Sequence, residues 1–312
     1  MKALYLGIMT NSRGFTSAFK ANVSEYEQLS SSDPDFNSKA CALADRFKPD
    51  LIFIQIQQPN IITQQCAKFL KSSGAFVINW TGDVRHPIPK WYYEIAKHID
   101  LTCFSNMHDV KEFRKEGYSS EFLEIGYDEM IYNWDGITYP TRDIVFMANN
   151  YGYNNFPESN YRIEMVEFLQ KQYPVRFGVY GHGWVKSNGN YNSSQLEEAA
   201  MIRGAKIGIN LSHFNYERYS SDRILRIMGT GTMCLTKRYK GIEADYKEKT
   251  HLDAWDNLEE LKEKIDYYLE NKTERNKIAI KGNELMLKSF TFTSMIKNLL
   301  NLIKTIKYEK QI

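Results

Sequence analysis

Along the chain, short runs of β-branched and aromatic residues alternate with longer stretches whose apolar positions recur at helical spacing. That alternation is the pattern of parallel sheets wrapped by helices. In the first half the apolar runs predict strands over 2–9, 50–56, 75–80, 100–105 and 120–126. Helical period covers 36–48, 61–72, 89–98 and 107–116, with Pro34 near the first start and Gly74 and Gly117 just past the second and fourth ends. The segment 133–142 holds turn formers and no period, which predicts a linker. A second alternation follows, with strands over 143–148, 175–181, 206–211 and 232–236 and a weaker one over 249–254, separated by helices over 159–172, 194–203, 220–229 and 256–270. Residues 273–309 read as helix throughout, a tail that would close the second domain and return to the first. The expected division is a first Rossmann-like domain over 1–138, a second over 139–295 and a returning helix over 296–312. In such open parallel sheets ligands bind beyond the carboxyl ends of the strands, so the chemistry should lie just after them, in a cleft that the two sheets share.

Composition narrows the class. The 312 residues are 43% hydrophobic and 25% charged, which excludes disorder and collagen-like repeats. Forty Lys and Arg against 38 Asp and Glu leave +2, so a polyanion site would have to be local. No run of about 18 apolar residues occurs that would span a membrane. The start reads as a strand rather than a signal peptide. Cys41, Cys66, Cys103 and Cys234 are widely spaced inside apolar segments, as expected of free buried thiols in a cytoplasmic protein, and neither a disulfide framework nor a metal site is expected of them. The excess lies in the aromatics, 21 Tyr, 17 Phe and 5 Trp, and much of it falls at predicted strand ends. An aromatic-lined cleft is therefore expected.

After the first strand, Ser12 and Arg13 lead to Gly14 at a helix start, a loop able to cradle a phosphate or sugar and equally able to cap a helix. After the third, Asp83 stands beside Gly82 and two residues before Arg85, with His86, Trp91, Tyr92 and Tyr93 close behind. A carboxylate there can act as general base on a hydroxyl, and the rings can stack on a sugar or base. The alternative is a structural Asp83–Arg85 ion pair with the rings packing a helix. Ser105 or Asn106 follows the next strand as a helix cap, with His108 and Asp109 facing solvent. In the second half, Asn149, Asn150 and Tyr151 open an amide-rich loop before Ser159 caps a helix, and His182 stands between Gly181 and Gly183. Further on, Ser212 ends a strand, Arg218 and Asp222 precede a helix that begins near Arg223, and Lys237 and Arg238 end another strand. The helix start and Arg223 suit a diphosphate without a Walker-type loop. Asp33-Pro34-Asp35 mimics a metal-binding Asp-x-Asp, but capping explains it better.

The ordered succession of Val145–Asn150, Phe177–Trp184, Ala205–Ser212, Asp222-Arg223 with Gly231, Leu235-Thr236 and Gly241-Ile242-Glu243, then Leu258–Leu269 and Arg275–Gly282, resembles GT-B glycosyltransferases of the CgeB-like group with a glycosyl transferases group 1 C-terminal domain. The resemblance covers roughly 145–300 and implies a GT-B α/β fold and transfer from a nucleotide-sugar, expected to be a UDP-sugar, without an obligatory metal or other cofactor. On this sequence it implies a donor held by Asn149, Asn150, Gly181, His182, Ser212, Arg223, Lys237 and Glu243, to which the loops read above add Gly14, Tyr151, Arg218 and Asp222. The acceptor falls to Ser12, Arg13, His86, Trp91 and Tyr92, with Asp83 and Arg85 catalytic. Where many relatives carry a ribose-binding glutamate, this chain has Arg226, which leaves Glu243 as a candidate for that role.

Two other functions compete. Phage GT-B enzymes glycosylate hydroxymethylated pyrimidines in DNA, and three clusters here could track phosphates: Lys111, Arg114 and Lys115; Arg218, Arg223 and Arg226; Lys237, Arg238 and Lys240. A non-catalytic nucleotide-sugar-binding or structural protein would also fit the loss of the glutamate.

Overall fold

The computed structural model describes residues 1–9, 14–189 and 194–309. In chain order the elements begin β1 (Lys2–Gly7), α1 (Gly14–Asn22), β2 (Glu25–Ser30), α2 (Phe36–Phe47), β3 (Leu51–Gln55), α3 (Gln64–Ser72), β4 (Phe76–Thr81), α4 (Lys90–Ala96), β5 (Leu101–Phe104), α5 (Met107–Lys115) and β6 (Ser120–Phe122). They continue with β7 (Ile144–Met147), α6 (Ser159–Gln172), β8 (Phe177–Tyr180), α7 (Gln195–Gly204), β9 (Ile207–Asn210), α8 (Arg223–Gly229), β10 (Met233–Lys237), a 3-10 turn (Ile242–Ala244), β11 (Asp253–Trp255), α9 (Leu258–Glu270), α10 (Lys272–Ser289) and α11 (Phe292–Glu309). Packing divides them into two units, Met1–Gly126 with Phe292–Ile312, and Tyr127–Thr291.

The first unit is a six-stranded parallel sheet in the order β2-β1-β3-β4-β5-β6. Its central strands are buried on both faces, which is why they read as largely apolar runs without strict alternation. Alternate residues feed two cores: Tyr5, Phe53 and Trp80 on one face with Phe19 of α1, and Leu4, Ile52 and Val77 on the other against α2 and α3. Helix α11 covers the first face through Met295, Ile296, Leu299 and Ile303. Sequence pattern missed β2 and gave no bounds for α1. Strand β2 is an edge strand of Glu-Tyr-Glu-Gln-Leu-Ser with no fully buried residue, so burial left no apolar mark on it.

The second unit is a five-stranded parallel sheet in the order β11-β10-β9-β7-β8 around Phe146, Leu169, Ile209, Leu235 and Trp255. The stretch expected to be a linker, 133–142, is anchored in this unit. Arg203 donates to Asn133 O at 2.7 Å and to Ile137 O, and Tyr139 N donates to Ala200 O at 3.0 Å. The chain instead passes between units at Gly126–Tyr127. The tail is two helices, not one. It breaks at Phe290-Thr291, where Phe290 O accepts from Tyr127 N at 3.0 Å and Thr291 bridges Tyr127. The last strand is shorter and later than expected, because His251 N turns back to Lys247 O at 2.9 Å and delays it to Asp253.

Much of the aromatic excess is core. Phe15 lies 5.4 Å from Tyr5 and 4.9 Å from Phe292, and Phe19 lies 5.5 Å from Phe53, ring centre to ring centre. The four cysteines are free thiols, and burial pushes those of Cys66, Cys103 and Cys234 up.

Candidate functional site

In the first unit the chain leaves β1 toward β2 on one side and β3 on the other, so the carboxyl ends of β1 and β3 diverge at a topological switch point, the usual ligand position of such sheets. A cavity of about 510 Å³ lies there, walled by Ile8, Ile56 and Ile61 and reached by Arg85 from the loop after β4. The Arg85 guanidinium donates to Thr81 Oγ1 at 3.2 Å, lies 3.5 Å from Asp83 and covers the Tyr92 ring at 5.7 Å. Its Nε is buried and makes no hydrogen bond. Asp109 fixes this loop: its Oδ2 accepts from Arg85 N and from Asn106 Nδ2, both at 2.9 Å. Asn106 also caps α5, as expected, by accepting from Asp109 N at 2.7 Å. Asp109 was expected to face solvent, yet it is buried, because its carboxylate is the anchor of the loop. Burial raises its pKa against the two hydrogen bonds that favour its charge.

Asp83 is 63% exposed. His86 is exposed, with its ring 6.2 Å from that of His108. Tyr92, expected to meet the acceptor, is only 1% exposed; it packs on Phe104, and Trp91 lies 3.9 Å from it, half-buried. The expected stacking wall is largely core. Gly14, expected at the donor, starts α1 beneath the Phe292 ring, where a Cβ would collide, so its missing side chain serves packing. Ser12 and Arg13 lie outside the described residues.

The second unit has its switch point between β7 and β9. The loops after β7 and β8 are zipped together there. Asn149 Oδ1 accepts from His182 N at 3.0 Å, Asn150 N donates to His182 O at 2.8 Å, and Asn150 Nδ2 donates to Gly183 O at 3.1 Å. This closeness requires Gly181 and Gly183, whose φ of +139° and +80° are left-handed and whose Cβ atoms would strike Ala148 O and Asn150 O. Two arginines hold the floor. Arg223 donates to Met147 O at 2.5 Å, to Leu211 O and Asn210 Oδ1 at 3.3 Å and to Ser221 Oγ at 3.0 Å. Arg162, 2% exposed, donates to Leu211 O and, at 3.1 Å, to Asn149 O. Both guanidinium groups cover the Phe146 ring, at 5.0 and 5.1 Å. Both also act on the neighbouring His213. Burial, then Arg162 and Arg223, push the His213 pKa down to about 3. Tyr151 is exposed, with its ring 5.2 Å from His213.

Ser212 Oγ accepts from Ser221 N at 2.8 Å and closes the loop between β9 and α8. Of the remaining expected donor residues, Arg218, Lys237 and Asp222 are bonded to other protein groups and Glu243 is exposed. Arg218, at φ +50°, pairs with Asp245 at 2.6 Å. Lys237 Nζ donates to Asp256 O at 2.8 Å beneath the Tyr161 and Trp255 rings. Glu243 is exposed on the 3-10 turn. Helix α8 begins at Arg223 and spans seven residues, with Asp222 at its N-cap bound to Arg226, so the expected anion-binding helix start carries a carboxylate instead. Arg226, standing where the ribose-binding glutamate was expected, turns toward α7: it pairs with buried Glu198 at 3.0 Å, which also accepts from Tyr132 Oη at 2.9 Å. The expected cap by Ser159 is different in kind, since its Oγ accepts from Phe156 N at 3.0 Å, ahead of the helix.

The clusters that could track phosphates are largely neutralised. Arg114 pairs with Glu121, Lys115 with Glu112, Arg238 with Glu248 and Asp256, and Lys240 with Glu217. Among the described residues no group of three or more His, Cys, Asp or Glu is placed to hold a metal ion, and no helix is long and apolar enough to cross a membrane.

Pattern reading passed over Arg162, His213 and the burial of Asp109. Arg162 did leave a signal, a cation within the buried stripe Arg162, Val166 and Leu169 of α6.

Residues 162–301 match the model of the glycosyl transferase-like family. No curated protein matches the chain. Among solved structures the chain is similar to Anabaena HepE in complex with UDP-glucose (12% identity, 98% of this chain and 100% of that one, TM-score 0.62). It is also similar to a glycosyltransferase from Rickettsia africae (13%, 98% and 98%, TM-score 0.62) and to sucrose-phosphate synthase from Thermosynechococcus elongatus (9%, 99% and 100%, TM-score 0.63). The chain thus carries a glycosyl transferase-like segment on the two-unit Rossmann-like fold of the GT-B glycosyltransferases.

Proposed function

We propose that the protein is a glycosyltransferase that moves a sugar from a UDP-sugar, held at the switch point of the second unit, to a hydroxyl of an acceptor held by the first. What supports this most directly is the positive switch point of the second unit: Arg162 and Arg223 add two charges beside loops whose amides approach closely through Gly181 and Gly183. A leaving diphosphate needs such charge, fixed before reaction so that no reorganisation is required in the transition state. The family match over 162–301 and the UDP-glucose bound in the similar HepE point to the same donor class.

In this scheme Arg162 and Arg223 neutralise the diphosphate while their N–H groups hold the loops. His213, kept neutral by burial and then by its two cationic neighbours, offers an uncharged ring beside them. Asp83, exposed after β4, takes the proton of the acceptor hydroxyl. Protein cations meet the charge of the leaving group, and no metal is assigned a step.

A thermal-shift screen of the full chain against UDP, UDP-glucose, UDP-N-acetylglucosamine and GDP-mannose tests the donor. UDP compounds at one hundred times Kd should stabilise the fold by about 2.7 kcal/mol. Failure of every nucleotide to move the melting temperature would remove the donor assignment.

A further inference from the structure

We infer that the cavity of the first unit binds an anionic acceptor, a hydroxylated ring compound bearing a carboxylate or phosphate that Arg85 receives. Calling the ligand an acceptor rests on the glycosyltransferase reading; its charge is argued from the cavity alone.

The cavity occupies the switch point at the carboxyl ends of β1 and β3, and its volume of about 510 Å³ falls within the ~300–1,000 Å³ of small-molecule sites. Its walls differ in kind. Ile8, Ile56 and Ile61 offer an apolar surface for a ring face, while Ser31, Ser32, Gln57 and Gln58 offer hydroxyl and amide groups of the sort that bond ring hydroxyls.

Among the described residues Arg85 is the cation that lines it. The guanidinium is 18% exposed and its carboxylate contact is the 3.5 Å approach of Asp83, itself turned largely to solvent. Thr81 Oγ1 accepts from it at 3.2 Å, and among the described residues its buried Nε has no acceptor. An entering anion would meet the remaining N–H groups of the fork and add a second, better-seated partner to the loose approach of Asp83. The loop is built to hold the cation in place: Asp109 grips the Arg85 amide from behind, and the Tyr92 ring lies beneath the guanidinium. A neutral sugar would satisfy the serines and glutamines equally well and leave Arg85 as it is.

The test titrates the full chain with three probes that share a ring and differ at C6: glucose, glucuronate and glucose 6-phosphate. Saturation-transfer NMR or calorimetry reads the affinity for wild type, Arg85→Gln and Arg85→Lys, with UDP titrated in parallel. Wild type should bind at least one anionic probe about tenfold or more tightly than glucose. Whether glucuronate or glucose 6-phosphate is favoured identifies the anion. Arg85→Gln should erase the preference, and Arg85→Lys, which keeps the charge, should retain part of it. UDP affinity should be the same in all three, which shows that the variants are folded. Equal or absent binding of charged and neutral probes by wild type overturns the inference, as does a preference that survives in Arg85→Gln. If UDP fails to bind while the anion preference follows Arg85, the glycosyltransferase reading falls and the anion site stands.

Discussion

The two units share an architecture and treat their switch points in opposite ways. In the first, the ends of β1 and β3 surround an open cavity, and Arg85 keeps hydrogen-bonding capacity in reserve. In the second, the loops after β7 and β8 close on one another, and the N–H groups of Arg162 and Arg223 bind backbone carbonyls, so their charge acts but their donors serve the loops. The same strand order can therefore place a cavity at the switch point itself or, as in the second unit, fix potential there and leave a cavity of about 550 Å³ to one side, between α6 and the loop after β8. A varied ligand suits the first arrangement, and a constant group such as a diphosphate suits the second.

Breaking the second unit's ion network should have the largest effect. Arg226→Met leaves Glu198 buried without its cation, and urea denaturation should show a loss of about 3–5 kcal/mol. If stability is unchanged, the network around α7 and α8 is not what holds that edge of the unit. Next comes the fixed potential. Arg223→Lys keeps the charge but loses the fork that spans Met147 O, Leu211 O and Asn210 Oδ1, and the Kd for UDP should rise about tenfold by calorimetry, roughly 1.4 kcal/mol.

A smaller effect separates the units by pH. His213 has a folded pKa of about 3 against an ordinary 6.5, so below pH 6.5 the unfolded chain takes up a proton that the folded chain refuses until about pH 3. Its contribution to stability is complete above pH 6.5 and declines as the pH falls from there toward 3. His213→Asn should flatten that decline, seen as urea midpoints at pH 7.5 and 5.0 that lie closer together than in wild type. Asp109 in the first unit runs the other way. Its folded pKa is raised, so its contribution is present at low pH and lost as the pH climbs through that value. Relative to Asp109→Asn, wild type should gain stability as the pH is lowered from 7 to 4, and a constant gap would show that burial does not perturb this carboxyl.

Elements buried on both faces were legible in the sequence, since β7 is wholly apolar, β3 and β4 are largely so, and the span of α6 follows from its stripe. Strand β2 was illegible because an edge strand needs no apolar run, and the break at Phe290-Thr291 because a bond to Tyr127, distant in sequence, makes it. The site was half legible. Loops after strands announced Asn149, Asn150, Gly181, His182 and Asp83, but partners did not show. Arg226 stood out as a departure, while Glu198, which explains it, lies 28 residues away on another helix. Aromatic residues misled for a similar reason: Tyr92 follows a strand end in sequence and lies inside the core in space.

Helix α11 gives the chain an unusual order of assembly. Met295, Ile296, Leu299 and Ile303 complete the core around Tyr5, Phe53 and Trp80, so the unit whose strands are synthesised first lacks a wall of its interior until its last helix has left the ribosome. Domains ordinarily mature from the N-terminus onward. Here the second unit has all its parts once Thr291 emerges, and the first must wait, with its apolar sheet face uncovered, for a segment translated after its neighbour is whole.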